Sequence, residues 1–126
     1  MRVLLSIKPE YVQKIFNGEK KFEYRKSIFT NKDIKSIVVY CTMPVGRIVG
    51  EFSVEEILLD SPEVIWKETK ENSGVQKDFF MQYFSGRQTA YAIKIGTTRL
   101  YKKPIDPKIR DRSFVPPSII PLYSLS

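Results

Sequence analysis

The chain has 126 residues, 42% hydrophobic and 28% charged, a balance that excludes a disordered or low-complexity polypeptide and fits one domain large enough to bury a core. Lys and Arg number 21 against 14 Asp and Glu, a formal net charge of +7, which favours anionic partners with nucleic acid foremost, against the alternative of a solubilising basic surface. The single cysteine, Cys41, and the absence of histidine exclude an internal disulfide and the usual zinc ligand sets, so neither metal nor cofactor is expected.

Val3 to Ile7 reads as a short buried strand. No apolar run approaches the ~20 residues needed to span a bilayer, and Met1 to Lys8 is too short for a signal-peptide core, so a soluble cytoplasmic protein with no membrane partner is expected. Lys8 is held extended by Pro9, which opens a helix carrying Tyr11, Val12, Ile15 and Phe16 on one face and stopping at Gly18. Lys8 thus stands at a helix N-terminus, either as part of an anion site or as an exposed linker residue.

The next stretch, Gly18-Glu19-Lys20-Lys21-Phe22-Glu23-Tyr24-Arg25, interleaves both charge signs with aromatic rings. As a strand over Lys21 to Lys26 it puts Phe22 and Tyr24 on one face and Lys21, Glu23 and Arg25 on the other. Lys20 has the parity of Phe22, so it joins Glu23 and Arg25 only from a turn before regular pairing or beside a bulge. The alternatives are a solvent-facing strand with charges paired across it, or a buried ion pair that fixes register.

Ile37 to Cys41 is a continuous β-branched run, predicting a strand buried on both faces. After the break at Thr42-Met43-Pro44-Val45-Gly46, a long strand runs from Arg47 to Ile57, with Gly50 marking a bulge or a close backbone approach. Ser61-Pro62 caps a helix running to Asn72. Ser73-Gly74-Val75-Gln76 has capping-box spacing for a second helix, whose Val75, Phe79, Phe80 and Tyr83 stripe is assigned to the core rather than to a ligand platform. Gln88 to Leu100 returns to strand. From about residue 101 the chain is irregular, basic and proline-containing, with seven basic residues between Lys94 and Arg112, and Ile119 to Leu125 is placed to close the sheet. Strands first and last, with a helix after the first strand and two helices before a late one, predict a single α+β domain over 1–126 built on a small mixed barrel.

In Gly18, Lys20, Glu23 and Arg25 the chain carries Gly-x-Lys-x-x-Glu-x-Arg, preceded by Leu5-Ser6-Ile7-Lys8-Pro9 and followed by Tyr40-Cys41-Thr42-Met43-Pro44, Ile48-Val49-Gly50-Glu51-Phe52 and Tyr91-Ala92-Ile93. On these residues it resembles the ASCH family, the activating-signal-cointegrator homology domains of the PUA-like superfamily, from Leu4 to about Ile95. The resemblance implies a PUA-like β-barrel with a cleft beside the first helix that binds RNA or a nucleotide. Some small members are amidohydrolases acting on N4-acetylcytidine through the motif lysine, a threonine and a glutamate. This chain has Glu23 at the threonine position, and Glu68 or Glu71 near that of the glutamate.

The leading expectation is a binding module for RNA, a nucleotide or a modified nucleoside. Lys8, Lys20 and Arg25 meet phosphate or a base edge, Glu23 orients them and accepts from an exocyclic amine, Tyr24 or Tyr40 stacks, and Thr42 completes the ligand set. The alternative is a small metal-independent amidohydrolase acting on acylated modified nucleosides such as N4-acetylcytidine, in which Lys20 is base or nucleophile and Glu23 shuttles a proton.

Overall fold

A computed structural model describes residues 2–31, 33–109, 112–113 and 123–124. Its elements are β1 (Arg2–Ile7), α1 (Pro9–Phe16), β2 (Phe22–Arg25), β3 (Ser36–Cys41), β4 (Arg47–Asp60), α2 (Pro62–Thr69), a 3-10 turn Lys70–Asn72, α3 (Lys77–Tyr83), β5 (Ala90–Ile105), a second 3-10 turn Pro107–Ile109 and β6 (Tyr123–Ser124). Among the described residues six strands form one sheet in the order β2-β5-β4-β3-β1-β6. Only β1 and β3 are parallel; the other pairs are antiparallel, so the sheet is mixed and the fold is α+β. No pairing joins β2 to β6 among the described residues, and the sheet described is open, short of the closed barrel that the element order predicts.

Two packed regions flank the sheet. Val3, Leu5 and Ile7 of β1 alternate onto the same side as Ile37, Val39 and Cys41 of β3, where Val12 and Ile15 of α1 cover them. The opposite parity of these strands puts Leu4, Val38 and Tyr40 in a separate small cluster with Ile48, which is why β3 is buried on both faces. A second large cluster lies under α2 and α3 and joins Ile65, Phe80 and Phe84 to Tyr24, Ala90 and Ala92.

Local signals decide several boundaries. Pro9 opens α1, and Gly18 at φ 90° ends it. The Ser61 hydroxyl accepts from the Val64 N–H at 3.3 Å and caps α2. Gly50 satisfies both of its readings: the β4–β5 register slips between Ile48 and Gly50, and a side chain there would meet the Arg99 carbonyl at 2.6 Å and the Phe16 ring at 2.7 Å.

Other boundaries move. α3 begins at Lys77, with Gln76 at its N-cap, and Ser73 caps nothing: its hydroxyl donates to the Val75 carbonyl at 3.0 Å and accepts from the Val75 N–H at 3.3 Å. β5 runs on through residues 101–105, where an irregular segment is expected. Between Gly50↔Leu100 and Ile48↔Ile105 two steps of β4 oppose five of β5, and Pro104, with no N–H to give, sits in that surplus. Of the closing strand expected over Ile119 to Leu125, Tyr123 and Ser124 pair with Leu4 and Val3, and the remainder lies outside the described residues. No helix among the described residues is long and apolar enough to cross a membrane.

Candidate functional site

Lys8, extended at ψ 146° by the proline after it, stands at the mouth of α1 with its side chain exposed. Past Gly18 the chain doubles back, and the Lys20 N–H donates to the Lys14 carbonyl at 2.9 Å while the Lys21 N–H donates to the Asn72 carbonyl at 2.8 Å. Lys20 therefore lies in the turn before β2 pairs with β5, which frees it from strand parity. Its side chain is 2% exposed, running under Gly74 to donate from Nζ to the Ser73 carbonyl at 2.7 Å. The ammonium also lies 4.7 Å from the Tyr24 ring centre and 5.4 Å from that of Tyr11. Burial pushes the amine down to about 8; the Glu23 carboxylate opposes that shift, and Lys14 and Arg25 assist it.

On β2, Arg25 Nη2 meets Glu23 Oε2 at 2.9 Å and donates to the Ser6 carbonyl at 3.0 Å, with both side chains almost wholly buried. This pair ties β2 to β1, which are not sheet neighbours. Tyr24 turns toward α2. Its hydroxyl is 2.6 Å from Thr69 Oγ1, and because Thr69 donates to the Ile65 carbonyl at 2.7 Å, Tyr24 is the donor between the two. Burial pushes that phenol up to about 12.

These residues share a cavity of about 220 Å³ between β1, α1, β2 and α3. Lys8, Lys20, Glu23, Tyr24 and Arg25 all line it, so five of the seven residues expected at the site are brought together. Tyr40 and Thr42 are not. Tyr40 has the parity that sends its ring into the small cluster with Leu4 and Val38, and Thr42 sits in the turn after β3 with its N–H on the Ile7 carbonyl at 3.1 Å. Glu68 and Glu71 are both exposed and outside this cavity; Glu68 lines a separate surface groove with Asn17, Lys21 and Lys94.

The opposite wall contains residues that the sequence reading placed in the core. Phe80 is indeed buried, edge-on to Tyr24 with ring centres 4.8 Å apart. Val75 and Tyr83 pack against the same core while bordering the cavity, and Phe79, 39% exposed, borders the cavity from outside that core. Tyr11, assigned to the apolar face of α1, completes the wall against Phe79 at 5.8 Å. A buried amine and a buried carboxylate–guanidinium pair under aromatic walls can bind a flat polar group by its edge, or move a proton. Among the described residues no cluster of three or more acidic, histidine or cysteine side chains is placed to hold a metal.

The ASCH domain model matches residues 5–99 of the chain. A relative named large ribosomal subunit protein uL22 from Ureaplasma parvum is 28% identical over 105 residues, covering 82% of this chain and 33% of that protein. An ASCH domain-containing ribonuclease from Zymomonas mobilis is 26% identical over 89 residues, covering 71% of this chain and 60% of the relative. This chain thus spans a third of the ribosomal relative's length and under two thirds of the ribonuclease. The crystal structure of ASCH from Zymomonas mobilis has the same fold, with a TM-score of 0.89 over 99% of this chain and 87% of that one at 24% identity.

Proposed function

The chain belongs to the ASCH domain family, and from that premise we propose that it binds RNA or a nucleotide, with one base entering the cavity between α1, β2 and α3. The observation that carries this reading is the buried Lys20 amine beside the Glu23–Arg25 pair on the floor of an aromatic-walled cleft. A nucleobase offers what such a floor can pair: ring carbonyls or nitrogens for Lys20, an exocyclic amine for the Glu23 carboxylate, and a π-face for the walls. Lys8 at the rim is placed for the attached phosphate. The cavity of about 220 Å³ is small beside the ~300–1,000 Å³ of ordinary ligand pockets, in keeping with a single base. The Zymomonas mobilis relative named a ribonuclease supports RNA as the polymer. On this reading the sheet is the wall of a PUA-like barrel with its cleft beside the first helix.

The test is titration of nucleosides and short RNAs at several salt concentrations. Binding is expected to weaken with salt by ~0.7 of a log unit per log unit for each phosphate neutralised, and to be lost in Lys20→Met. Absent binding, or oligonucleotide binding indifferent to salt, rejects the reading.

A second reading, a hydrolase, is favoured by the lowered basicity of Lys20, which leaves part of the amine free to accept a proton near neutral pH. Lys20 would take the proton of the attacking group, from water on an acylated cytidine or from a ribose hydroxyl in RNA, with Glu23 the neighbouring proton carrier. Because Glu23 replaces the threonine of the amidohydrolases, that acyl-transfer scheme does not carry over whole. Turnover of N4-acetylcytidine or RNA that rises with pH through about 8 and disappears in Lys20→Met supports this reading; no turnover of either rejects it.

A further inference from the structure

We propose that the outer face of α3, where Phe79 and Tyr83 lie parallel beneath Lys8 and Lys26, is a second nucleotide position, so that the protein takes single-stranded RNA of at least two consecutive nucleotides. The proposal rests on the cavity being a base site.

Phe79 and Tyr83 stand one helical turn apart, with ring centres 6.3 Å apart and planes within 13°. Their helix neighbours Phe80 and Phe84 fill the core; Tyr83 packs only partly against it, and Phe79 is 39% exposed. Aromatic surface is therefore left uncovered beside the cavity and continuous with it, since both rings also border it. A cation arrives over each ring from a different element. Lys8, from the junction of β1 and α1, lies 5.8 Å from the centre of the Phe79 ring, and Lys26, just after β2, lies 4.7 Å from that of Tyr83. Burial pushes the Tyr83 phenol up, and Arg25 and Arg87 act against that shift. The acidic groups in the neighbourhood are Asp78 on α3 and Glu10 on α1, both exposed, and the buried Glu23 of the cavity, already paired with Arg25.

A ring with an ammonium beside it matches the two parts of a nucleotide, the base that stacks and the phosphate that takes the charge. When a base slides over either ring, the lysine is displaced toward the phosphate linking it to the base already in the cavity. Paired strands cannot make this arrangement, because a base in the cavity has left its stack.

The experiment compares cytidine and guanosine with their dinucleoside monophosphates, a single-stranded hexamer and a duplex of the same sequence. Wild type and Lys26→Gln are titrated at two salt concentrations, with thermal melts to show that the variant is folded. The dinucleoside monophosphates are expected to bind about tenfold more tightly than the nucleosides, a gain in the range of one stacked base. In Lys26→Gln that gain falls severalfold and the salt slope falls by ~0.7, while nucleoside affinity is retained. Phe79→Ala tests the ring itself and is expected to weaken the hexamer by about tenfold. If nucleosides bind and the dinucleotides bind no better, the second position is overturned and the cavity reading stands. If nothing binds, the cavity reading falls and takes this one with it. Duplex binding equal to single strand, or a polyaspartate peptide competing as well as RNA, also overturns the proposal.

Discussion

The two large packed regions differ in what fills them. Under α1 the packing is mainly aliphatic, with Val3, Leu5, Ile37, Val39 and Ile15 meeting between helix and sheet and Phe52 buried among them. Under α2 and α3 it is more aromatic: Tyr24 meets Phe80 and Phe84 edge to face, those two rings are tilted against each other, and Trp66 joins at 5.0 Å from Phe80. Branched aliphatic side chains interdigitate closely, whereas rings held in tilted pairs fix wide, flat surfaces. The cavity opens along such surfaces, at the seam between the two regions, and the buried charges of Lys20, Glu23 and Arg25 line it. The contrast is strongest when one side chain is removed from each region. Phe80→Ala is expected to cost about 3–5 kcal/mol and Ile37→Ala about 2–5 kcal/mol, both read by urea unfolding. Only the first removes a wall of the cavity, so only the first should also abolish ligand binding under conditions where the protein stays folded. Equal loss of binding in both would mean that the regions do not divide the labour in this way.

A smaller effect separates the seam from both cores through pH. Lys20 holds its proton only up to about 8 when folded and to 10.5 as an unperturbed lysine. Between those values the unfolded chain binds the proton and the folded chain does not. The contribution of Lys20 to stability therefore rises with pH through that window and is lost as pH falls through 8, with an amplitude on the order of 3 kcal/mol. Tyr24 acts in the opposite sense, but only above pH 10, because its phenol is raised from 10.0 to about 12. Urea unfolding at pH 7 and pH 9.5 should thus show wild type gaining on Lys20→Met, with the variant at least as stable as wild type at pH 7, where a buried ammonium has been removed. A variant that keeps the same rise would place its source elsewhere.

What the sequence made legible was what short-range physics decides. Pro9, Gly18 and Ser61 mark their helix ends through the backbone of one or two residues, and the unbroken apolar run at β3 announces burial on both faces. Lys20 was found by spacing, but its direction was not, since that depends on hydrogen bonds to Lys14 and to Asn72 far along the chain. Tyr40 lies off this cavity for a related reason: alternation says that it faces away from Val39 but not which side of the sheet holds the cavity. α3 carries two stripes about 100° apart, Phe79 with Tyr83 and Phe80 with Phe84. Either could have faced the core, and the choice is made by Ile65, Tyr24 and Ala92 opposite. Ser73 shows the limit of a motif. The spacing of a capping box is present, yet Gly74 at φ 70° turns the chain before the helix can begin.

That glycine supplies the finest division of the seam from its surroundings. Gly74 and Gly46 both sit in the left-handed region, at φ 70° and φ 62°, so alanine at either carries a similar conformational cost of about 1–2 kcal/mol. They differ in what a new methyl group meets. At Gly46 it would touch Met43 Sδ at 2.9 Å, the end of a flexible side chain that is 74% exposed and free to swing away. At Gly74 it would lie 2.6 Å from Cβ and 2.7 Å from Cγ of Lys20, whose stem is buried and whose Nζ is tied to the carbonyl of neighbouring Ser73. Lys20 cannot yield without leaving its place on the cavity floor. Gly74→Ala should therefore lose more stability in urea than Gly46→Ala, by about 1–3 kcal/mol of overpacking against Lys20. Gly74→Ala alone should lose nucleoside affinity and flatten the gain in stability between pH 7 and pH 9.5. If the two variants bind alike, Lys20 is held by something other than the close passage of this loop over its stem.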